Sequence, residues 1–417
     1  MAMDAFDLVV VGAGPAGLRA ATVVSRLGGH VLVLDEAACA GGRLPSQAHP
    51  EPTISLRPKW SIGAQKAEEL LEDASAAGTK ILCGVSVWGL SPDGFVGTVP
   101  ADPSQIGHNV PTGFQAKALL IAAGATQNPL VLPGWTLPGV ITAGAAQTLI
   151  NVHRVLPGRC AVVIGIDPLS ISAALLMSAC GMDVKGILLP PGGYASVPST
   201  PHTVIKELAR ALSCLPESCL KLSGKVLELL APLSTRLFPL RGIPVDSCRL
   251  MLRRMAQSVE GDEKVAGIRV VSLDSKGRPV DRRVETWEVD TVVTSAGLHP
   301  LVELCQVAGC PLVYSAPLGG WVPLHSSKME TPLPGVFVAG SITGVEGARV
   351  AEAQGRVAGF SIAKFLKLGL DPEVNRQLEF AEIGVLQARE SSFPFFPDVK
   401  LGRTQLTTAW NRWQANG

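Results

Sequence analysis

Gly12-Ala13-Gly14-Pro15-Ala16-Gly17 follows an apolar run, Asp7–Val11, and opens a stretch with helical periodicity. Each glycine has its own task. Gly12 permits a tight turn, Gly14 lets the backbone approach a diphosphate, and Gly17 lets the following helix lie close on the sheet. A diphosphate placed there meets free N–H groups and the positive end of the helix dipole. About 20 residues past such a turn, dinucleotide binding calls for a carboxylate to accept ribose hydroxyls. Asp35 stands at the end of the next apolar run, with Glu36 beside it. Glycines alone would mean no more than a tight turn. Strand, turn, helix, strand and acid in this order predict a dinucleotide site.

The pattern has one echo. Cys160–Ile164 is a second buried run, followed by Gly165-Ile166-Asp167-Pro168-Leu169-Ser170, a helical stretch near Leu169–Cys180 and a closing run, Val184–Leu189. Here Asp167 and Ser170 replace the second and third glycines, and Leu188 stands where the ribose acid would be. A carboxylate beside a diphosphate costs up to about 4 kcal/mol at 4 Å and an effective dielectric near 20. The second unit is therefore expected to keep its fold and lose its nucleotide site.

Other reactive residues form no set. The nine cysteines include no CxxC pair, so neither a zinc site nor an iron–sulfur cluster has its ligands. Cys214/Cys219 and Cys305/Cys310 have the CxxxxC spacing of a redox pair, but lie far from the turn that follows the first acid, where Cys39 is alone. Both pairs read as packed thiols. The seven histidines show no ligand spacing, and His299 reads as a loop residue. No metal is predicted, and the catalytic residues are left unassigned.

The elements that must position the first turn are short buried strands alternating with helices. Further runs at Leu119–Ile121, Asp290–Thr294 and Gly335–Ala339 end in small residues, and a small-residue helix runs from about Gly347 to Leu366. Strands without polar alternation belong to parallel sheets covered on both faces. From Gly369 the pattern weakens, and the tail carries aromatics (Phe393, Phe395, Phe396, Trp410, Trp413) without a core period. With 36 Lys+Arg against 35 Asp+Glu, no basic stripe marks a nucleic-acid partner. Only 17% of residues are charged, which leaves a surface poor in charge and suited to a partner. Ala118–His153 lacks Asp, Glu, Lys and Arg but is broken by prolines and glycines, so no transmembrane segment is expected. The absence of a basic leader before the first strand and the scattered thiols predict a cytoplasmic protein.

Several segments carry a narrower resemblance. Gly41-Gly42-Arg43 after the acid resembles the second loop of FAD-binding two-dinucleotide oxidoreductases. Leu119–Gly124 resembles their strand end "hhhATG", with Ala123 in place of Thr, and Val336–Ser341 their "hhhAGD", with Ser341 in place of the acid. CGVSVWGL (83–90), WTLPGVITAGAAQTLIN (135–151), LGGWVP (318–323) and GSITGVEGARVAEAQGRVAG (340–359) are similar to the small FAD subunit of heteromeric amino-acid dehydrogenases. That group is of pyridine nucleotide-disulfide oxidoreductase type. It includes the corresponding subunits of opine oxidase and hydrogen cyanide synthase, hydroxyproline dehydrogenase and, further off, the sarcosine oxidase alpha chain.

The resemblance implies an α/β, glutathione-reductase-like fold with two dinucleotide-binding domains and FAD as cofactor. It implies FAD contacts from Gly12 to Gly17, Asp35, Glu36, Gly42, Arg43, Val87, Ala123, Gly124, Gly340, Ser341 and Gly347. Ser341 for the acid trades a charge-assisted hydrogen bond for a neutral one, about 1–2 kcal/mol. The implied domains are residues 1–125 and 290–370 for FAD, 126–289 for the degenerate second unit, and 371–417 as a docking tail without the iron–sulfur module of many relatives. The implied activity is that of an electron-transfer or supporting subunit. A flavoprotein partner would carry the substrate site for an amino acid or secondary amine. Two alternatives stay open: a stand-alone NAD(P)H-dependent flavin oxidoreductase, and a structural subunit without flavin chemistry.

Overall fold

The computed structural model describes residues 4–50, 60–102, 104, 111–192, 200–213, 242–274, 277–392, 395–396 and 398–416. Cys214, Cys219 and Phe393 lie outside them. The chain divides into two compact units, one of residues 1–44, 64–126 and 299–417, the other of 45–63 and 127–298.

The first unit is built on a central mixed sheet, parallel in its middle and antiparallel along one edge. Its strands are β1 (Ala5–Val11) and β2 (Val31–Asp35), then, past β3 (Ala48–Pro50) and β4 (Trp60–Ile62) of the other unit, β5 (Lys80–Cys83), β6 (Val85–Leu90), β7 (Phe95–Pro100) and β8 (Gly113–Ile121). The spatial order is β5-β2-β1-β8-β7-β6, and Val336–Val338 pairs with the last residues of β8. Val9 sits opposite both Leu32 and Leu119 and is fully buried, as a central strand covered on both faces requires. Helix α1 (Pro15–Arg26) starts with Pro at its first position and ends at Gly28, whose φ of +91° lets Gly29 N–H return to Val24 O at 3.0 Å.

The second unit has its own sheet, ordered β10-β17-β11-β12-β14-β15-β16. Following β9 (Ala125–Gln127), these strands are β10 (Val140–Thr142), β11 (Cys160–Ile164), β12 (Asp183–Leu189), β13 (Ile243–Val245), β14 (Cys248–Glu260), β15 (Gly267–Leu273), β16 (Pro279–Glu288) and β17 (Thr291–Thr294). After α2 (Gly63–Ala76), which begins at the unit boundary and belongs almost wholly to the first unit, the helices of the second are α3 (Ala143–Asn151), α4 (Pro168–Ala179) and α5 (Pro201–Ser213). The run at 290–294, assigned from sequence to the FAD domain, pairs in parallel with β10 and β11 instead. A short buried run of Val and Thr fits either sheet equally well, and the boundary falls at 298 rather than 289.

Past β18 (Leu298–Pro300), α6 (Glu303–Val307), β19 (Leu312–Ser315), β20 (Gly320–Pro323) and β21 (Val336–Val338), the first unit closes with α7 (Ala348–Phe365). Helix α7 lies close against α1. A Cβ on Gly355 would come within 2.2 Å of Ala16 O, and one on Gly359 within 2.7 Å of Val23 Cβ. The tail is helical: α8 (Asp371–Ser391) buries Val374, Leu378, Ala381 and Val385, and α9 (Val399–Asn416) buries Leu406 and Trp410. Among the described residues, no helix is long and apolar enough to cross a membrane.

Candidate functional site

The first glycine turn connects β1 to α1 and is fixed from below. Gly12 N–H donates to Leu34 O at 2.8 Å, and with φ at +107° a Cβ there would stand 2.4 Å from Ala122 O. A Cβ on Gly17 would lie 1.9 Å from Gly12 O. These two glycines are demanded by packing. Gly14 is different: it caps α1 with an ordinary φ of −75°, no side chain caps the helix, and a Cβ would meet nothing within 4 Å. The space in front of α1 is therefore open, its first N–H groups have no side-chain partner, and Pro15 and Ala16 follow directly. This is the arrangement an anion requires.

Asp35 ends β2 beside that turn. Its Oδ2 accepts from Ala13 N–H at 2.7 Å and its Oδ1 from Ala37 N–H at 2.8 Å. An ionised carboxylate has about four acceptor positions, so two backbone bonds orient it and leave capacity for ribose hydroxyls. Glu36 is exposed next to it. The second loop lies against the first: Gly41 N–H donates to Ala13 O at 2.8 Å, and Gly42, with φ +58°, would bring a Cβ within 2.9 Å of Gly14 Cα. Arg43 Nε donates to Ala125 O at 3.1 Å, just past Ala123 and Gly124 at the end of β8. Val87 lies further along β6, half-buried; the nearer contact is Gly84 N–H to Ala37 O at 2.9 Å.

The far end of the site is formed by Gly340–Gly347. A Cβ on Gly340 would come within 2.9 Å of Ala16 Cβ, so this loop meets the start of α1. Ser341 is half-buried and opens a 3-10 turn. Gln354, fully buried on α7, was not anticipated from the sequence. Its Oε1 accepts from Gly340 N–H at 2.9 Å and from the Thr343 hydroxyl at 3.2 Å, while its Nε2 is buried with no partner. Gly347 caps α7 with φ +96°, no side-chain cap and nothing within 4 Å of an added Cβ. Two helix N-termini in this unit are thus open, and the residues fit a dinucleotide cofactor.

Glu346 is buried just before α7 and held by the tail. Arg389 of α8 reaches it with Nε at 2.7 Å, and Arg403 of α9 with Nε at 2.8 Å. Burial pushes its carboxyl up, but the two guanidinium groups outweigh this and hold it below the ordinary glutamate range. Burial also lowers Arg403 to about 10 and, with the nearby Arg403 charge, His325 to about 3. His325 is therefore neutral, its Nδ1 2.7 Å from Pro323 O. Arg389 and Arg403 sit in a stretch without core period, and nothing near them in sequence points back to Glu346.

The corresponding turn of the second unit is closed. Asp167 occupies the position of Gly14, one residue before a proline at the helix start. Its Oδ1 accepts from Ser170 N–H at 2.7 Å, its own N–H donates to Ser170 Oγ at 2.9 Å, and its Oδ2 accepts from the Ser295 hydroxyl at 2.6 Å. The carboxylate takes the place of an external anion. Burial raises its pKa, with these donors pulling the other way. Asp-x-x-Ser is a legible capping-box signature; the Ser295 contact is not.

The family model of pyridine nucleotide-disulphide oxidoreductases matches residues 6–222. This chain belongs to that family. Similar proteins include the A subunit of opine oxidase from Agrobacterium tumefaciens (strain Ach5), 28% identical over 88% of this chain and 67% of that one. The HcnB subunit of hydrogen cyanide synthase from Pseudomonas aeruginosa is 27% identical over 85% and 70%. The alpha subunit of sarcosine oxidase from Rhizobium meliloti (strain 1021) is 24% identical over 90% of this chain but 32% of that one. Among solved structures, L-proline dehydrogenase from P. horikoshii superposes with a TM-score of 0.61 at 18% identity, over 90% of this chain and 59% of that one. Thioredoxin reductase from T. acidophilum gives 0.57 at 22%, over 86% and 98%. The resemblance and the two-dinucleotide-domain fold expected from the motifs are borne out, and the chain is a flavin-family oxidoreductase related to subunits of larger enzymes.

Proposed function

We propose that this chain binds FAD across the Gly12–Gly17 turn and works as the electron-handling subunit of a heteromeric dehydrogenase or oxidase. The substrate, an amino acid or secondary amine, is oxidised on a partner flavoprotein subunit. The observation that carries this reading is the contrast between two equivalent turns: Gly14 leaves α1 open to an anion, and Asp167 closes α4. In the first unit Asp35 orients the adenosine ribose, Gly14 admits the diphosphate and Gly42 supports the turn from behind. Bound FAD accepts two electrons together and releases them singly or in pairs. The uncapped start of α7 at Gly347 favours negative charge there, and Gln354 fixes the loop that leads into it.

Pyridine nucleotide is not the electron source in this reading. Asp167 fills its diphosphate position, and Leu188 offers no acceptor to a ribose. The names of the curated relatives, subunits of opine oxidase, hydrogen cyanide synthase and sarcosine oxidase, support an amine-oxidising assembly. The test is anaerobic reduction of the native assembly. Bleaching of the flavin by an amino acid or secondary amine, and none by NADH or NADPH, is the expected result. Bleaching of the isolated chain by NADPH favours the stand-alone oxidoreductase instead, and a chain that takes up no flavin favours the structural subunit.

A further inference from the structure

Helix α8 buries one apolar face and leaves three large apolar side chains in solvent on the other, among Arg376, Glu379 and Glu390. Val374, Leu378, Ala381 and Val385 are buried on one, while Phe380, Ile383 and Leu386 are at least half exposed on the other. Large apolar side chains clustered in solvent and rimmed by polar ones mark an interaction surface. Beside the exposed stripe runs a groove of about 670 Å³ between α1, α7 and α8, floored by Phe360, Phe380 and Ala381 and open at Gly384. Its walls carry arginines seven residues apart on neighbouring helices, Arg19 and Arg26 on α1, Arg349 and Arg356 on α7. The first pair is neutralised, Arg19 by Glu352 and Asp73, Arg26 by Asp73. The second is not: among the described residues neither Arg349 nor Arg356 is paired with a carboxylate, and Arg356 meets only the Gln377 amide and the face of Phe360.

We propose that this groove and stripe receive an acidic, amphipathic segment of the partner subunit, its apolar side chains on Phe380, Ile383 and Leu386 and its carboxylates on Arg349 and Arg356. The proposal rests on the heteromeric reading above. Charge decides the occupant. A second copy docking through the same patch would bring four arginines without carboxylate partners into one contact, since a two-fold contact joins the same patch on both copies. A small anion would leave the stripe beyond the groove uncovered. Arginine with aromatic neighbours is the composition of an interface centre.

The experiment uses the tagged full-length chain purified with its partner from its native host, with p-benzoylphenylalanine at Ile383. The expected cross-link joins it to an acidic segment of a stoichiometric flavoprotein subunit. Ile383→Asp, and separately Arg349→Glu with Arg356→Glu, are expected to weaken assembly about tenfold or more, with unchanged Tm and flavin content of the chain itself. Assembly that survives both changes, or a cross-link to a second copy or to a segment without net negative charge, overturns the docking site and leaves the heteromeric reading standing. Variant-sensitive binding to phosphatidylserine vesicles in place of a protein cross-link overturns it too. A wild-type chain that purifies alone overturns both.

Discussion

Gly14→Asp converts the open turn into a likeness of the closed one. At Gly14 the backbone has a φ of −75°, which any residue adopts, and a Cβ would meet nothing within 4 Å. The variant is therefore expected to fold with a Tm equal to or slightly above that of the wild-type chain without cofactor, because Asp caps a helix a few tenths of a kcal/mol better than Gly. Its carboxylate then lies where the diphosphate belongs. A like-charge pair at about 4 Å with an effective dielectric near 20 costs up to about 4 kcal/mol, and solvent access at a half-buried position reduces this to about 2–4. That is about a 30- to 1,000-fold loss of FAD affinity. Quenching of FAD fluorescence on titration gives the Kd directly. Gly14→Asn separates charge from bulk, and it should lose about tenfold or less, having no charge to repel the diphosphate. Equal Kd values for Gly14→Asp and Gly14→Asn, or an unchanged Kd in both, would refute the placement of the diphosphate.

Further outcomes follow from the same geometry. Asp167→Ala removes the α4 cap and leaves the Ser295 hydroxyl without its acceptor, so urea unfolding should show a loss of about 1–2 kcal/mol, while isothermal titration with NADH still shows no binding because Leu188 is unchanged. Gly355→Ala drives a methyl group to 2.2 Å from Ala16 O, and a marked drop in Tm with impaired flavin retention is expected; a neutral result would contradict the α1–α7 packing. Glu346→Gln leaves two buried guanidinium groups facing a neutral amide and should cost about 3–5 kcal/mol, read by denaturant melts. The Glu346 carboxyl is held below its ordinary 4.5, so its contribution is complete above that value and is lost as pH falls through the lower folded value. Hydrogen exchange should accordingly show α8 and α9 loosening first in acid, and Glu346→Gln should flatten that dependence.

How far the sequence reveals this molecule depends on the range of the interaction. The turn at 12–17, the acid at 35 and the buried strands β1, β2 and β11 are local patterns, and each lies where periodicity and spacing put it. The sheet to which 291–294 belongs is a long-range choice between two apolar partners, and composition does not distinguish them. The tail reads poorly because the outer face of α8 mixes Phe380, Ile383 and Leu386 with Arg376, Glu379 and Glu390 and so blurs the single stripe of period 3.6, although it is a regular 21-residue helix. At the site, the glycines and Asp35 are legible because they lie within one local strand–turn–helix–strand unit of fixed spacing. Gln354, Arg389 and Arg403 act across the fold on Gly340 and Glu346, and no spacing rule connects them.

The central assertion is that one flavin dinucleotide lies along the Gly12–Asp35 cradle. Its most direct test is the cofactor content of the natively purified chain, released by heat and identified by chromatography and absorbance. About one FAD per chain, sharply reduced in Gly14→Asp, is the predicted result; a colourless protein that takes up no FAD on soaking contradicts the account.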